Sequence, residues 1–254
     1  MRKLFSDINL LYMRKVQETR RNPVFILMGI SMPILYLGLF APLLKNLALS
    51  KGFPSDNVLD IFVPGMLPII AFSGGIFAGF SIIDELKSGV IERLRVTPAS
   101  RFALLAGPVF RDVSTTLAQV VLFLLIALPF GFRASLEGSL ILLVLIALLA
   151  TISSSFSNAM GLITKADEKF APIVHSINLP ILLLSGVLLP MSLAPSWLQI
   201  VARFNPVYYV VEAARHLAAG ELMHTTVMHA FLIMVPLSFI TLWWATKAFN
   251  KAVM

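Results

Sequence analysis

Six times the chain runs for about 20 residues or more without an Asp, Glu, Lys or Arg, the length a helix needs to cross a bilayer. The stretches are 22–44, 61–83, 113–132, 138–164, 170–202 and 222–246. Each is a candidate span, because a helix satisfies its own backbone polar groups where no water can do so. The composition agrees: 58% of the 254 residues are hydrophobic and 13% charged, far from the balance of a water-soluble domain. The expected fold class is an all-α integral membrane protein, one domain over residues 1–254 with six transmembrane helices. The run that starts at Val24 is too long for a signal peptide and lacks a small-residue cleavage site, so it reads as a mature helix.

The fifth stretch exceeds one span, and Pro190 and Pro195 bracket a break in it. Residues 171–189 read as the span and 192–204 as a piece that dips back, so that 190–221 forms a re-entrant segment. Irregular backbone at that depth is tolerated only where protein or a wet cavity satisfies it.

Lys and Arg sort by segment. Six precede the first stretch, five lie within 84–112, two are Lys165 and Lys169, and two follow the last stretch, fifteen in all against five in the alternate segments. The positive-inside rule then places both termini, 84–112 and 165–169 in the cytoplasm. The net charge of +7 is thus an orientation signal rather than a nucleic-acid footprint, and no nucleic-acid partner is expected.

Within residues 1–21, Leu4, Phe5, Ile8, Leu11 and Tyr12 recur at helical spacing, with Arg2, Lys3, Arg14 and Lys15 able to reach anionic headgroups. This regular spacing favours an interface helix on membrane lipids over a disordered basic tail. The 45–60 segment holds the turn signal Gly52-Phe53-Pro54. Segment 84–101 carries the ridge Val90, Ile91 and Leu94, stopped at Thr97-Pro98, where Pro98 suits the first position of the next helix. A short helix across the cytoplasmic face follows.

Several chemistries lack their residues. Every Asp and Glu lies outside the six stretches, His175 lies inside the fifth and His224 and His229 lie in the opening turns of the sixth, so an ion-coupled transporter has no obvious carboxylate carrier. His175 and Ser185-Gly186 are ten positions apart, about 15 Å of helical rise, too far for a serine–histidine catalytic pair without a break. His216, His224 and His229 are placed near the opposite face. No phosphate-cradling Gly-x-x-x-x-Gly-Lys-Ser/Thr loop occurs, and there is no cysteine for a disulfide or thiolate metal site. No catalytic residue, metal ligand or bound cofactor is expected. Ser153, Ser154, Ser155, Ser157 and Asn158 suit either a polar path or close helix packing.

Three groups of residues resemble the type-two ABC exporter permeases, the family of drug-resistance, nodulation-factor and polysaccharide export subunits. Phe62-Val63-Pro64-Gly65 opens the second stretch as in that family. Glu92-Arg93-Leu94-Arg95-Val96-Thr97-Pro98-Ala99-Ser100-Arg101 is similar to its cytoplasmic loop, more in the drug-resistance than the polysaccharide form. The third group runs from Leu184-Ser185-Gly186 through Pro190, Pro195, Trp197 and Leu198 to Asn205-Pro206, Tyr209, Glu212 and Arg215. The resemblance covers nearly the whole chain.

The resemblance implies cytoplasmic ABC ATPase subunits that use ATP and Mg, a second permease subunit, an inner (cytoplasmic) membrane location and export of an amphipathic drug, lipid-like or glycan substrate. Val90, Ile91, Glu92, Arg93, Leu94, Thr97 and Pro98 would then couple the ATPase to the membrane. Phe72, Phe77, Asn178, Leu182 and Ser185 would line the path, with ordinary helix packing an equal account of each. A membrane scaffold or assembly factor without a conducting path is the reading of a different class.

Overall fold

The computed structural model describes residues 2–21, 24–48, 58–97, 100–133, 135–187 and 191–252. Among them there are α-helices and two short 3-10 turns and no strand. In chain order the helices are α1 (Arg2–Arg21), α2 (Val24–Ala48), α3 (Val58–Ile76), α4 (Ala78–Lys87), α5 (Val90–Arg95), α6 (Arg101–Ala127), α7 (Leu136–Thr164), α8 (Asp167–Leu183), α9 (Ser196–Ala202), α10 (Pro206–Ala218) and α11 (Thr225–Ala252). By length and apolar composition four described segments can cross a membrane: Leu59–Lys87, Arg101–Phe130, Leu136–Thr164 and Thr225–Asn250. Helix α8 has 17 residues and α2 presents only the shorter apolar piece Gly29–Leu39.

Local sequence sets the helix starts. Ser100 caps α6 by accepting the Ala103 N–H at 3.1 Å, and Ser135 caps α7 by accepting the Gly138 N–H at 3.2 Å. Asn205 caps α10 with Pro206 at the first helical position, a site that needs no N–H donor. The expected start at Pro98 lies outside the described residues, and the helix opens instead at Arg101 because Ser100 supplies the cap. Helix α6 therefore begins twelve residues before the charge-free stretch 113–132.

Helix α7 is the central post, packed against α3, α4, α6, α10 and α11. Small residues let it approach closely: a Cβ on Gly75 would stand 1.9 Å from Ser153 Oγ, and one on Gly161 would stand 2.7 Å from the Gly79 carbonyl oxygen. Around this seam Phe62, Met66, Leu67, Phe123, Leu145, Ile146 and Leu149 are fully enclosed in the main core.

The helix ends meet in two groups. At one end Ile82, Ile91, Leu104, Leu162 and Phe249 form a second apolar cluster, joining α4, α5, the start of α6 and the ends of α7 and α11. At the other, the start of α7 meets the end of α10: a Cβ on Gly138 would overlap the Leu217 carbonyl, and Ser135 N–H donates to the Ala218 carbonyl at 3.3 Å. The segments rich in Lys and Arg thus gather at the α5 end.

Candidate functional site

Two constructions occupy the two ends. At the α5 end, Gly89 takes a left-handed conformation (φ 68°) that most residues avoid, and this turns the chain from α4 into the six-residue α5. Ile91 is buried in the second cluster, and Leu94 packs partly against it. The expected apolar ridge therefore faces the bundle rather than outward: with Ile82, Leu104 and Phe249 within reach, burial in the chain's own core is the favourable choice. Glu92, Arg93, Val96 and Thr97 are exposed, and Val90 is half-buried. Thr97 closes the helix with its hydroxyl donating to the Leu94 carbonyl at 2.6 Å.

The same end holds α1. Its Lys15 is buried and pairs with Glu85 at 3.0 Å, and Arg14 donates to the same carboxylate oxygen at 3.1 Å. Tyr12 donates to Ser114 at 3.1 Å, and Leu11 lies against Gly107, where a Cβ would stand 2.7 Å away. So Lys15, Arg14, Leu11 and Tyr12 dock α1 on α4 and α6, and the buried Lys15 is turned to Glu85 rather than to headgroups. Phe5, Leu10 and Met13 form its exposed apolar side. Lys87 pairs with Asp167, tying α4 to the start of α8.

At the opposite end the third group of motif residues converges with the first. Helix α8 stops at Leu183, and Gly186 (φ 73°) turns the chain, so Ser185 lies in a turn beyond the helix rather than within a span. This leaves carbonyls without helical partners. Asn205 donates to the Ile181 carbonyl at 2.7 Å while its Oδ1 accepts the Val207 N–H at 3.0 Å. Arg215 donates to the Gly186 carbonyl at 2.6 Å and the Val187 carbonyl at 3.3 Å, and pairs with Glu212 at 2.6 Å. Gly65 of α3 lies under this clasp, where a Cβ would stand 3.0 Å from the Val187 oxygen. Pro195 precedes α9, on which Trp197 is exposed; Pro190 lies outside the described residues.

The five expected path residues are not drawn to one surface. Phe72 is buried in the main core, Ser185 is buried with its hydroxyl donating to Leu182 at 2.6 Å, and Leu182 is half-buried. Phe77 is exposed, its ring 5.8 Å from that of His175 on the exposed side of α8. Asn178 keeps a buried Oδ1 with no hydrogen-bond partner among the described residues.

Residues 6–218, which hold the short helix and the clasp, fit the family model described as ABC-2 type transporter. The chain belongs to the ABC-2 type transporter family. It is 30% identical over 214 residues to the putative transport permease ycf38 of Cyanophora paradoxa, covering 84% of this chain and 74% of that one. The daunorubicin resistance ABC transporter permease protein DrrB1 of Streptomyces coeruleorubidus is 25% identical over 84% of this chain and 73% of its own. The probable doxorubicin resistance ABC transporter permease protein DrrC of Mycobacterium tuberculosis is 26% identical over 82% and 75%. The chain is accordingly an ABC transporter permease, an all-helical membrane protein.

Two features of this ABC-2 permease escaped the sequence. Asp112 is buried inside α6, against Ser154 and 3.2 Å from Arg111, so a carboxylate lies well inside a candidate span rather than at its ends, where Asp60, Asp84, Glu85 and Glu137 stand. Counting charge-free residues begins only after it, which hid it. The serine run is a packing device: Ser153 donates to Leu149 at 2.9 Å, Ser157 donates to the Ile76 carbonyl, and all four serines are buried. The close Gly75 and Gly79 contacts are its signal in the sequence, but only as partners known from the fold.

Proposed function

We propose that this permease is the membrane subunit of an ATP-driven exporter, and that α5 with the residues after it receives the work of a separate cytoplasmic ATPase. The carrying observation is that Ile91 seats α5 in the bundle while Glu92, Arg93, Val96 and Thr97 stand free of it. A rigid short helix anchored on one side and charged on the other transmits a push from its rim into α4 and α6. ATP and Mg would be bound by the ATPase, which fits a chain that lacks a phosphate-binding loop.

In this reading the chain crosses the inner membrane six times, α2 and α8 being the first and fifth spans, with both termini cytoplasmic. The fifteen-to-five charge asymmetry supports it, because the basic segments meet at the α5 end. Two permease subunits would enclose a path along the side of α8 where the exposed His175 meets the exposed Phe77, with the half-buried Asn178 and Leu182 at its edge. Phe72 and Ser185 would support that side from behind. The export of amphipathic drugs or lipid-like molecules is favoured by the two drug-resistance relatives.

The test is affinity purification of the tagged chain from native membranes, with Arg93→Cys and Val96→Cys variants for crosslinking. An ATPase that co-purifies and crosslinks to both positions is expected. Purification without any ATPase, or crosslinks only to non-nucleotide-binding proteins, would overturn this function in favour of a scaffold.

A further inference from the structure

The turn between α10 and α11 gathers three metal-ligating side chains that the reading above does not use. Its shape follows from Gly220. With φ 86° this glycine ends α10 in a Schellman motif: Gly220 N–H donates to the Leu217 carbonyl at 3.1 Å, and Glu221 N–H donates to the His216 carbonyl at 2.9 Å. That crossing of backbone bonds brings Glu221 back over His216, and their side chains meet at 2.6 Å between Oε2 and Nδ1. Three residues later His224 stands at the entrance to α11, with its ring stacked on that of His216, centroids 3.7 Å apart and planes 12° from parallel. One ligand atom from each of the three lies within 4.8 Å of the other two.

We propose that His216, Glu221 and His224 bind a divalent transition-metal ion of the zinc class, and that the ion clamps the end of α10 to the start of α11. Two imidazoles and one carboxylate suit a borderline-soft ion and disfavour calcium or magnesium, which take oxygen donors. Bonds near 2.1 Å in a tetrahedral arrangement require donor atoms about 3.3 Å apart. Binding would swing the exposed Glu221 side chain and turn the two half-buried rings out of their parallel stack so that both ring planes meet at the ion. Three protein ligands leave a fourth position for water. His224 Nδ1 accepts the Thr226 N–H at 3.3 Å, a long bond that is cheap to exchange for a metal. The negative end of α10 and the positive end of α11 oppose one another here, so the ligands themselves carry the affinity.

The full chain, purified in detergent and stripped with a chelator, is titrated with Zn²⁺ by calorimetry and with Co²⁺ by visible absorption. Saturable binding of one ion per chain is expected, with a Co²⁺ spectrum of low coordination number. H216A and H224A should each weaken Zn²⁺ by at least about tenfold. E221Q, which preserves the fold of the turn, should weaken it less and alter the Co²⁺ spectrum. H229A, on the exposed side of α11, should bind as the parent does. Zn²⁺ should raise the melting temperature of the parent and not of the H216A/H224A double variant. Absence of saturable Zn²⁺ binding, or undiminished binding by the double variant, would overturn the site. Neither result bears on whether an ATPase co-purifies, so the metal site and the export reading stand or fall separately.

Discussion

Ser157 bridges the break at Phe77: its hydroxyl donates to the Ile76 carbonyl and accepts the Gly79 N–H at 2.8 Å. Where α3 gives way to α4, Phe80 N–H turns to the Phe77 carbonyl and leaves the Ile76 carbonyl without its usual helical donor. One side chain of α7 thus repairs both sides of an interruption in the neighbouring span. Ser157→Ala should destabilise the protein by about 1–3 kcal/mol, the cost of leaving buried backbone groups unpaired. Thermal denaturation in detergent measures it. Gly79→Ala should be worse, because its Cβ would stand 2.4 Å from the Phe170 ring and 2.5 Å from the Ser157 carbonyl.

Arg215 holds the α10 segment to the turn after α8 through a planar fork. Arg215→Lys keeps the charge but cannot reach Gly186, Val187 and Glu212 with the same geometry, so it should recover only part of the function that Arg215→Ala loses. Removing the guanidinium from these partners should cost about 1.5–3 kcal/mol per charged hydrogen bond at most. Limited proteolysis between α8 and α10 reads the release of the clasp. Unchanged cleavage in Arg215→Ala would show that the clasp is not what fixes this segment.

Glu85 is the common acceptor for Arg14 and Lys15. Glu85→Gln removes the nearest carboxylate charge from the buried Lys15 while keeping an acceptor oxygen, and breaking a buried ion pair costs up to about 3–5 kcal/mol. The expected result is detachment of α1, seen as increased distance between spin labels on α1 and α4. A second change, Lys15→Met with Glu85→Leu, should restore docking by apolar packing.

Variants of α5 should separate anchoring from coupling. Ile91→Asp puts a charge into the cluster with Leu104 and Phe249 and should lower folded yield. Glu92→Arg and Val96→Asp alter exposed positions and should leave folding intact while reducing substrate-stimulated ATPase activity. Equal transport by Glu92→Arg, Val96→Asp and the parent at matched expression would remove α5 from the energy path.

Single cysteines at Ser55 and Lys87, in a chain that has none of its own, should label from opposite sides of the membrane. Labelling of both by an impermeant reagent from outside would end the six-span topology.

Much of the architecture was readable before any coordinates. The 138–164 stretch and α7 (Leu136–Thr164) nearly coincide, because a central helix is apolar on all sides and a charge-free run marks its ends. The 113–132 stretch misplaced the start of α6, because buried Asp112 and Arg111 neutralise one another inside the fold and a run count treats every charge as solvent-exposed. The α5 ridge showed the same limit: helical spacing identified an apolar face in Val90, Ile91 and Leu94 without saying which surface it meets.

By itself, then, the amino-acid order determined the membrane class, the alternation of basic and charge-poor segments and the three motif groups. These are properties of local composition and spacing, which act through hydrophobic transfer and charge and need no knowledge of neighbours. Only the tertiary structure decided that Ile91 points inward, that Ser157 mends a helix 78 positions from Gly79, and that Arg215 reaches back 29 residues to the Gly186 carbonyl. Each of these depends on a hydrogen bond or contact between residues far apart in the chain, and such a partner exists only once the helices have packed.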